Sequence, residues 1–317
     1  MMVEKVATRK AYGEALLELG EKHEDVVVLD ADLSKSTKTA DFAARFPDRF
    51  FNMGVSEADM MSTAAGLAAS GKTPFASTFA VFAAGRAYDQ VRNSICYPRQ
   101  NVKIAATHSG ITVGEDGASH QMLEDIALMR VLPNMTVVCP CDAVSAKKII
   151  HSAYDNHGPY YIRLGRPGVP LIYDENDPEL EIEIGKGQVL KKGEDLTIIA
   201  CGHQVAHALE ARETLAEEGM SCEVIDLHTI KPLDKETILN SVKKTKAVVT
   251  CEEHSIIGGL GSAVAEFLSE TYPVPVFKVG VEDIFGESGS GDDLLEKYGL
   301  KPEDIVRKAK KIKGFEE

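Results

Sequence analysis

The sequence predicts an α/β fold of two tandem domains, each an open, mostly parallel sheet covered by helices. Short apolar runs of strand length alternate with segments at helical spacing along almost the whole chain, the pattern of parallel sheets buried on both faces. The alternation stops between Arg166 and Gly187, where prolines and acids dominate (Pro167, Pro170, Asp174, Glu175, Asp177, Pro178, Glu179), and then resumes. The 317 residues are too many for one typical core and comfortable for two. Residues 1–166 therefore read as a first domain, 167–187 as a linker and 188–317 as a second domain.

Ala7 to Leu19 carries apolar residues at helical spacing, with Thr8 as its cap. Val26 to Leu29 is a buried strand running into Asp30 to Thr37, a polar loop at a strand's carboxyl end, the edge where open α/β sheets bind ligands. Phe50 to Asn52 is a short segment of its own. The run from Met60 to Ala69 contains no charge, so as a helix it is apolar nearly all round and should be buried. Strands near Thr73 to Ser77 and Val102 to Ala106 flank a helix through Ala80 to Tyr97. A second loop, His108 to His120, follows. A helix from about Gln121 to Arg130, a strand at Met135 to Val138, a helix from Ala143 to Asn156 and a strand at Tyr160 to Ile162 complete the first domain.

The second domain alternates strands at Leu196 to Ala200, Cys222 to Ile225, Ala247 to Thr250 and Val274 to Val279 with helices at Ala206 to Glu218, Lys235 to Val242 and one ending at Ser269. Closing helices follow Gly291 and Pro302. The turn Gly258-Gly259-Leu260-Gly261 departs from the GxGxxG dinucleotide pattern and reads as a tight helix entry. The basic residues Arg307, Lys308, Lys310, Lys311 and Lys313 read as a solvated helix face.

Composition excludes several classes. No apolar run approaches a membrane span, and the start is charged at Glu4, Lys5, Arg9 and Lys10, so a cytoplasmic protein without membrane contact is expected. The formal net charge of −14 argues against nucleic acid as a partner, and an anionic substrate then needs a local cluster of Arg and His. Six cysteines in apolar surroundings read as reduced core residues, and Cys139-Pro140-Cys141 lacks a second pair at zinc spacing, so no metal site is assigned to the chain.

Two stretches stand out chemically. Glu57 opens the uncharged Met60–Ala69 run, placing a carboxylate at the first turn of an apolar helix, where the helix dipole favours the ionised form and burial opposes it. The loop from His108 to His120 carries two imidazoles and the carboxylates Glu115 and Asp116 among Ser109, Gly110, Gly114, Gly117 and Ser119, immediately after a strand.

Ala7-Thr8-Arg9-Lys10, Ala31-Asp32-Leu33-Ser34-Lys35-Ser36, Gly54-Val55-Ser56-Glu57, Thr78-Phe79-Ala80-Val81-Phe82 and Gly114-Glu115-Asp116-Gly117-Ala118-Ser119-His120-Gln121 resemble, in order, the blocks of the C-terminal half of transketolase, over essentially the whole chain. The resemblance implies a pyrimidine-binding domain followed by a transketolase C-terminal domain, and thiamine diphosphate as cofactor. It implies that Glu57 hydrogen-bonds the far ring nitrogen of the aminopyrimidine and tunes its exocyclic amine as an internal acid and base. Phe79 and Phe82 would stack on that ring, and Asp32 would lie near the cofactor. A third aromatic of the family is replaced here by Gly85. His120 would orient and transfer a proton near the reacting carbon, and Asp116 would recognise a substrate hydroxyl. Arg9, Ser36, His108 and Arg166 would hold the phosphate of a sugar phosphate.

The family's Gly-Asp-Gly motif and paired asparagines, which hold the cofactor's diphosphate through Mg²⁺, do not occur in this sequence. The expectation is the C-terminal subunit of a split transketolase, active only with a separate N-terminal diphosphate-binding subunit that brings the Mg²⁺, two copies of each chain, moving a two-carbon ketol unit between sugar phosphates of the pentose phosphate kind. Two related enzymes share the plan. The run Arg86-Ala87-Tyr88-Asp89-Gln90-Val91-Arg92 is similar to 1-deoxyxylulose-5-phosphate synthase, and the beta subunit of 2-oxo acid dehydrogenases also lacks the diphosphate half. A non-catalytic partner subunit that kept the fold is a reading of another class.

Overall fold

The structure, a computed structural model, describes residues 5–312 and 314; Glu4 and Lys313 lie outside them. The strands in chain order are β1 (Lys5–Ala7), β2 (Val26–Asp30), β3 (Phe50–Asn52), β4 (Thr73–Phe79), β5 (Lys103–Thr107), β6 (Thr136–Val138), β7 (Tyr160–Arg163), β8 (Gly168–Pro170), β9 (Gln188–Lys191), β10 (Leu196–Ala200), β11 (Cys222–Asp226), β12 (Thr229–Lys231), β13 (Val248–Ser255) and β14 (Val276–Val281). A seven-stranded sheet has the order β12-β6-β7-β5-β4-β2-β3 and a five-stranded sheet the order β14-β13-β10-β11-β9. Only β12 and β9 run antiparallel to their neighbours, so both sheets are mostly parallel, as the alternation of elements predicts. All residues of β2, β4 and β5 are buried, and Val26 to Leu29 of β2 accordingly read as a continuous apolar run.

The two tandem units are also stitched together. Strand β12 lies in the second half of the sequence yet pairs with β6 and closes the edge of the first sheet, with Thr229 opposite Val138. Strands β1 and β8 form an antiparallel ribbon, so the expected linker carries a strand at its start. One hydrophobic core runs from Met60, Ala76 and Ile104 to Ile199, Leu227 and Leu260.

Four expectations change. Thr8 does not cap its helix, Thr8–Lys22; it is the first helical residue, and its Oγ1 accepts the Gly165 N–H at 2.9 Å, tying the helix to the turn after β7. The segment from Ala80 to Tyr97 breaks into π-helical turns at Phe82–Arg86 and Val91–Cys96 around the short helix Tyr88–Gln90; each π turn takes in an extra residue and re-aims the side chains beyond it. The helix expected from Gln121 begins only at Asp125, because Gln121 Nε2 bonds the carbonyls of Ile111 and Glu287. The helix Glu57–Ala69 buries Glu57, Met60, Met61, Ala64 and Ala65 on one face, whereas Ser62, Gly66 and Ala69 stay exposed, so it is not covered all round.

The glycine turn is a helix entry. The Glu252 carboxylate accepts the N–H groups of Leu260 and Gly261 at 2.7 and 2.8 Å, which takes up the start of the helix Leu260–Thr271 with an internal anion. All six cysteines are buried free thiols. Of the basic tail, Arg307 and Lys311 are exposed and Lys308 and Lys310 partly so.

Tyr173, in the connecting segment, donates to Asp226 Oδ2 at 2.8 Å at the carboxyl end of β11. Burial raises the Asp226 carboxyl from its ordinary 3.8 to about 7, against the lowering effect of the Tyr173 bond. An acid raised in the fold stabilises most below its unfolded value, and that contribution is lost as pH rises through about 7. Asp226→Asn should therefore narrow the gap in Tm between about pH 5.5 and about pH 8.5, chiefly by raising Tm at the higher pH, as thermal unfolding at both values will show.

Candidate active site

The carboxyl ends of β2, β4, β5 and β7 converge on one edge of the first sheet, and the side chains singled out from the sequence gather there. Asp30 ends β2 fully buried. It accepts from Leu33 N at 2.6 Å, Thr37 Oγ1 at 2.6 Å and Thr39 Oγ1 at 3.0 Å, which folds residues 31–39 into a tight turn. The short helix Ser34–Thr37 in that turn aims the Ser36 carbonyl at Arg9, whose Nη1 donates to it at 2.8 Å. Arg9 Nε donates to the Arg166 carbonyl at 3.1 Å, and Arg9 Nη1 faces His108 Nε2 at 3.5 Å.

That contact decides the His108 tautomer. Arginine only donates, so Nε2 is the acceptor and Nδ1–H is left for Thr107 Oγ1 at 3.0 Å. Burial, then Arg9 and Arg166, push His108 down to about 3. It is neutral across the physiological range, and the positive charge at this end comes from the two guanidiniums.

His108 stacks on Phe79, with ring centroids 3.8 Å apart. Phe79 ends β4 and lies parallel to Phe82 at 5.9 Å, and the His120 ring meets both edge-on, 5.6 Å from Phe82 and 6.4 Å from Phe79. Beyond Phe82 is Glu57, only 1% exposed, whose two carboxylate oxygens take hydrogen bonds of 3.0 and 2.9 Å from Arg86 Nη1. The Arg86 guanidinium lies 4.2 Å over the Phe82 ring. The result is a continuous strip from Glu57 through the aromatic rings to Arg9 and Arg166: a buried acid, a flat apolar shelf and a cationic end.

The loop that carries His108 and His120 is fastened by the second unit. Glu253 of β13 is buried and its Oε1 accepts both Thr112 N and Thr112 Oγ1 at 2.7 Å, while Oε2 lies 3.2 Å from His203 Nδ1. Burial works to raise the Glu253 carboxyl, but His203, Arg163 and Thr112 outweigh it and hold it below the usual range. Gly110 has φ +80° and a Cβ there would sit 2.2 Å from Glu253 Oε1, so only glycine allows this approach. Behind the loop, Arg163 donates to Asp125 at 2.8 Å and to the Glu253 carbonyl at 2.9 Å. Arg166 bonds the Val113 carbonyl and pairs with Glu115 at 3.0 Å. Arg9, Arg166, Glu115, Thr112 and His203 border a cavity of about 670 Å³ between the units.

Three expected residues stand differently. Ser36 presents its carbonyl, not its hydroxyl, to Arg9. Asp32, at φ +64°, accepts from Asn52 Nδ2 at 3.0 Å on the exposed rim. Asp116 is exposed and, among the described residues, has no side-chain hydrogen bond. The residues not singled out as site residues are Arg86, Glu115 and Glu253. The string Cys251-Glu252-Glu253-His254 in an apolar strand was the available signal for the last, because adjacent buried charges need partners.

Comparison with known proteins fits this geometry. The family described as transketolase, pyrimidine binding domain, matches residues 4–170, and that described as transketolase, C-terminal domain, matches residues 185–305. The chain belongs to the transketolase family. More particularly, it is similar over nearly its whole length to C-terminal sections of the family. A protein of Methanocaldococcus jannaschii described as a transketolase C-terminal section is 55% identical over 95% of this chain and 94% of its own length. A 6-deoxy-6-sulfo-D-fructose transketolase subunit of a Clostridium strain is 45% identical over 96% of this chain and 94% of its own. A solved structure described as a split gene transketolase, inactive beta4 tetramer, superposes with a TM-score of 0.90 at 58% identity, covering 97% of this chain and 98% of that one. Family membership implies a transferase dependent on thiamine diphosphate.

Glu253→Ala leaves the Thr112 N–H and His203 without their partner in a buried place, and the expected cost is about 3 kcal/mol. Thermal unfolding should show the loss, and hydrogen exchange should show residues 108–121 opening faster than the rest of the first sheet.

Proposed function

We propose that the chain is the C-terminal subunit of a transketolase, moving a two-carbon ketol unit from a ketose phosphate to an aldose phosphate, with thiamine diphosphate held jointly with a separate N-terminal subunit. The observation that carries this reading is the strip from Glu57 over Phe82 and Phe79 to Arg9 and Arg166, in which a buried carboxylate and stacked rings suit an aminopyrimidine and two guanidiniums suit a phosphate. The residues fit the pyrimidine end of the cofactor. Among the described residues no three His, Cys, Asp or Glu side chains gather as metal ligands. We assign the diphosphate and Mg²⁺ to the partner, in an assembly with two copies of each chain in the cytoplasm. The domain limits proposed are 1–166 and 188–317, joined by 167–187.

When bound, thiamine diphosphate supplies the nucleophilic carbon and stores the electrons of the broken carbon–carbon bond. The chain's own residues do the rest. Glu57 holds a proton in common with the pyrimidine ring nitrogen, in a site dry enough for that bond to count. Phe79 and Phe82 fix the plane of the ring, and Asp32 lies beside the cofactor. His120, edge-on to that shelf, orients and protonates the substrate oxygen. Asp116 takes a sugar hydroxyl. Arg9, Arg166 and neutral His108, with Ser36, receive the phosphate, which displaces Glu115 from Arg166. The uncovered Ser62, Gly66 and Ala69 face of the Glu57 helix, with exposed Val55 and Asp59 at its start, is the surface we assign to the partner.

The test is reconstitution. The purified chain, a diphosphate-binding subunit, thiamine diphosphate and Mg²⁺ should convert xylulose 5-phosphate plus ribose 5-phosphate, and neither chain should do so alone. Turnover instead with pyruvate and glyceraldehyde 3-phosphate identifies a synthase, pyruvate decarboxylation identifies an oxo-acid dehydrogenase component, and no turnover with any identifies a non-catalytic subunit. In the active complex, Glu57→Gln should lower kcat at least ~100-fold. Arg9→Gln or Arg166→Gln should raise KM for phosphorylated sugars about 10–100-fold with kcat little changed, as expected for lost charge-assisted bonds.

A further inference from the structure

Arg86 occupies the cofactor seat as a stand-in. Its guanidinium meets Glu57 through Nη1, bonding both carboxylate oxygens, and lies 4.2 Å over Phe82, whose ring is also parallel to Phe79. A flat cationic group that donates N–H to a buried carboxylate while covering an aromatic face has the features of an aminopyrimidine sharing a proton with that carboxylate. No second flat group reaches that face of Phe82 while Arg86 is on it. The buried Glu57 needs some partner in the free chain, since an unpaired carboxylate there is costly. Among the described residues, its hydrogen bonds come from Arg86.

Arg86 is also built to leave. Its side chain is 49% exposed, it ends the π-helical turn Phe82–Arg86, and the preceding Gly85 has open space where a side chain would be. Swinging the guanidinium into solvent unpacks no core residue. Glu57, by contrast, is buried in the first turn of its helix.

We infer that Arg86 is a gate on the pyrimidine seat: it neutralises Glu57 in the free chain and is displaced when thiamine diphosphate enters, so it sets the affinity for the cofactor. This rests on the transketolase reading above. A seat held closed for about nine-tenths of the time weakens apparent affinity about tenfold, and removing the gate restores it.

The experiment titrates thiamine diphosphate into the complex of this chain with its diphosphate-binding subunit and Mg²⁺, read by calorimetry, for the wild type, Arg86→Ala, Arg86→Lys and Glu57→Gln. The gate predicts that Arg86→Ala lowers the cofactor Kd about five- to tenfold, that Arg86→Lys, charged but not flat, falls between, and that Arg86→Ala lowers the Tm of the free chain, which has lost the partner of Glu57. An unchanged or weaker cofactor Kd in Arg86→Ala overturns the gate. If Glu57→Gln binds the cofactor as the wild type does, or the complex binds none, the assignment of Glu57 to the cofactor fails, and the gate with it.

Discussion

The interaction on which the rest of the structure depends is the reach of Glu253 from the second unit into the first. A carboxylate buried this deeply is tolerated only with full hydrogen bonding, and Thr112 and His203 provide it. Arg163 adds a bond to the Glu253 backbone and a buried ion pair with Asp125, so the loop after β5, the helix Asp125–Arg130 and strand β13 form one polar network inside an apolar core. With β12 completing the first sheet, the second unit is a structural part of the first unit's active edge. The glycine at 110 follows from the same contact: no other residue lets the loop backbone come so close to the carboxylate.

With that loop fixed, the charges along the candidate site follow a single rule. Glu57 is matched by Arg86 and Arg166 by Glu115, while Arg9 spends its donors on the Ser36 and Arg166 carbonyls. His108, pushed down to about 3 by burial and the neighbouring guanidiniums, is neutral near pH 7. In a chain with a formal charge of −14, two of the three guanidiniums at the ligand edge are thus paired with carboxylates, while Arg9 keeps its positive charge. Binding there is an exchange of partners rather than the filling of an empty field, and affinity is set by the difference between the internal and incoming partner.

Much of this was legible in the sequence because the informative residues are chemically odd for their places. Glu57 heads an uncharged run, and the loop after β5 collects two imidazoles and two acids among turn formers. Both signals survive any error in element boundaries. The tandem alternation likewise fixed the sheets, since buried parallel strands have few other ways to read. What was not legible depends on distant partners. Strand β12 is three residues long and exists only because β6 offers it an edge. The π turns at Phe82–Arg86 and Val91–Cys96 have no sequence mark, yet they place Arg86 against Glu57. Thr8 has the chemistry of a cap but a better use, 157 residues away, at Gly165.

The half-covered helix Glu57–Ala69 completes the argument. Its composition predicted burial all round, and its exposed face of small residues departs from that without an internal reason. Small residues on a helix admit close approach of another backbone, and exposed Val55 and Asp59 at its start make the same face part apolar and part charged. The helix thus carries the Glu57 carboxylate on its covered face and Asp59, Ser62, Gly66 and Ala69 on the exposed one, the face the proposed partner would cover. Glu57 is already 1% exposed, and what stays open beside it is the half-exposed Arg86, so a partner that also covers that side lowers the local dielectric and strengthens any proton shared there.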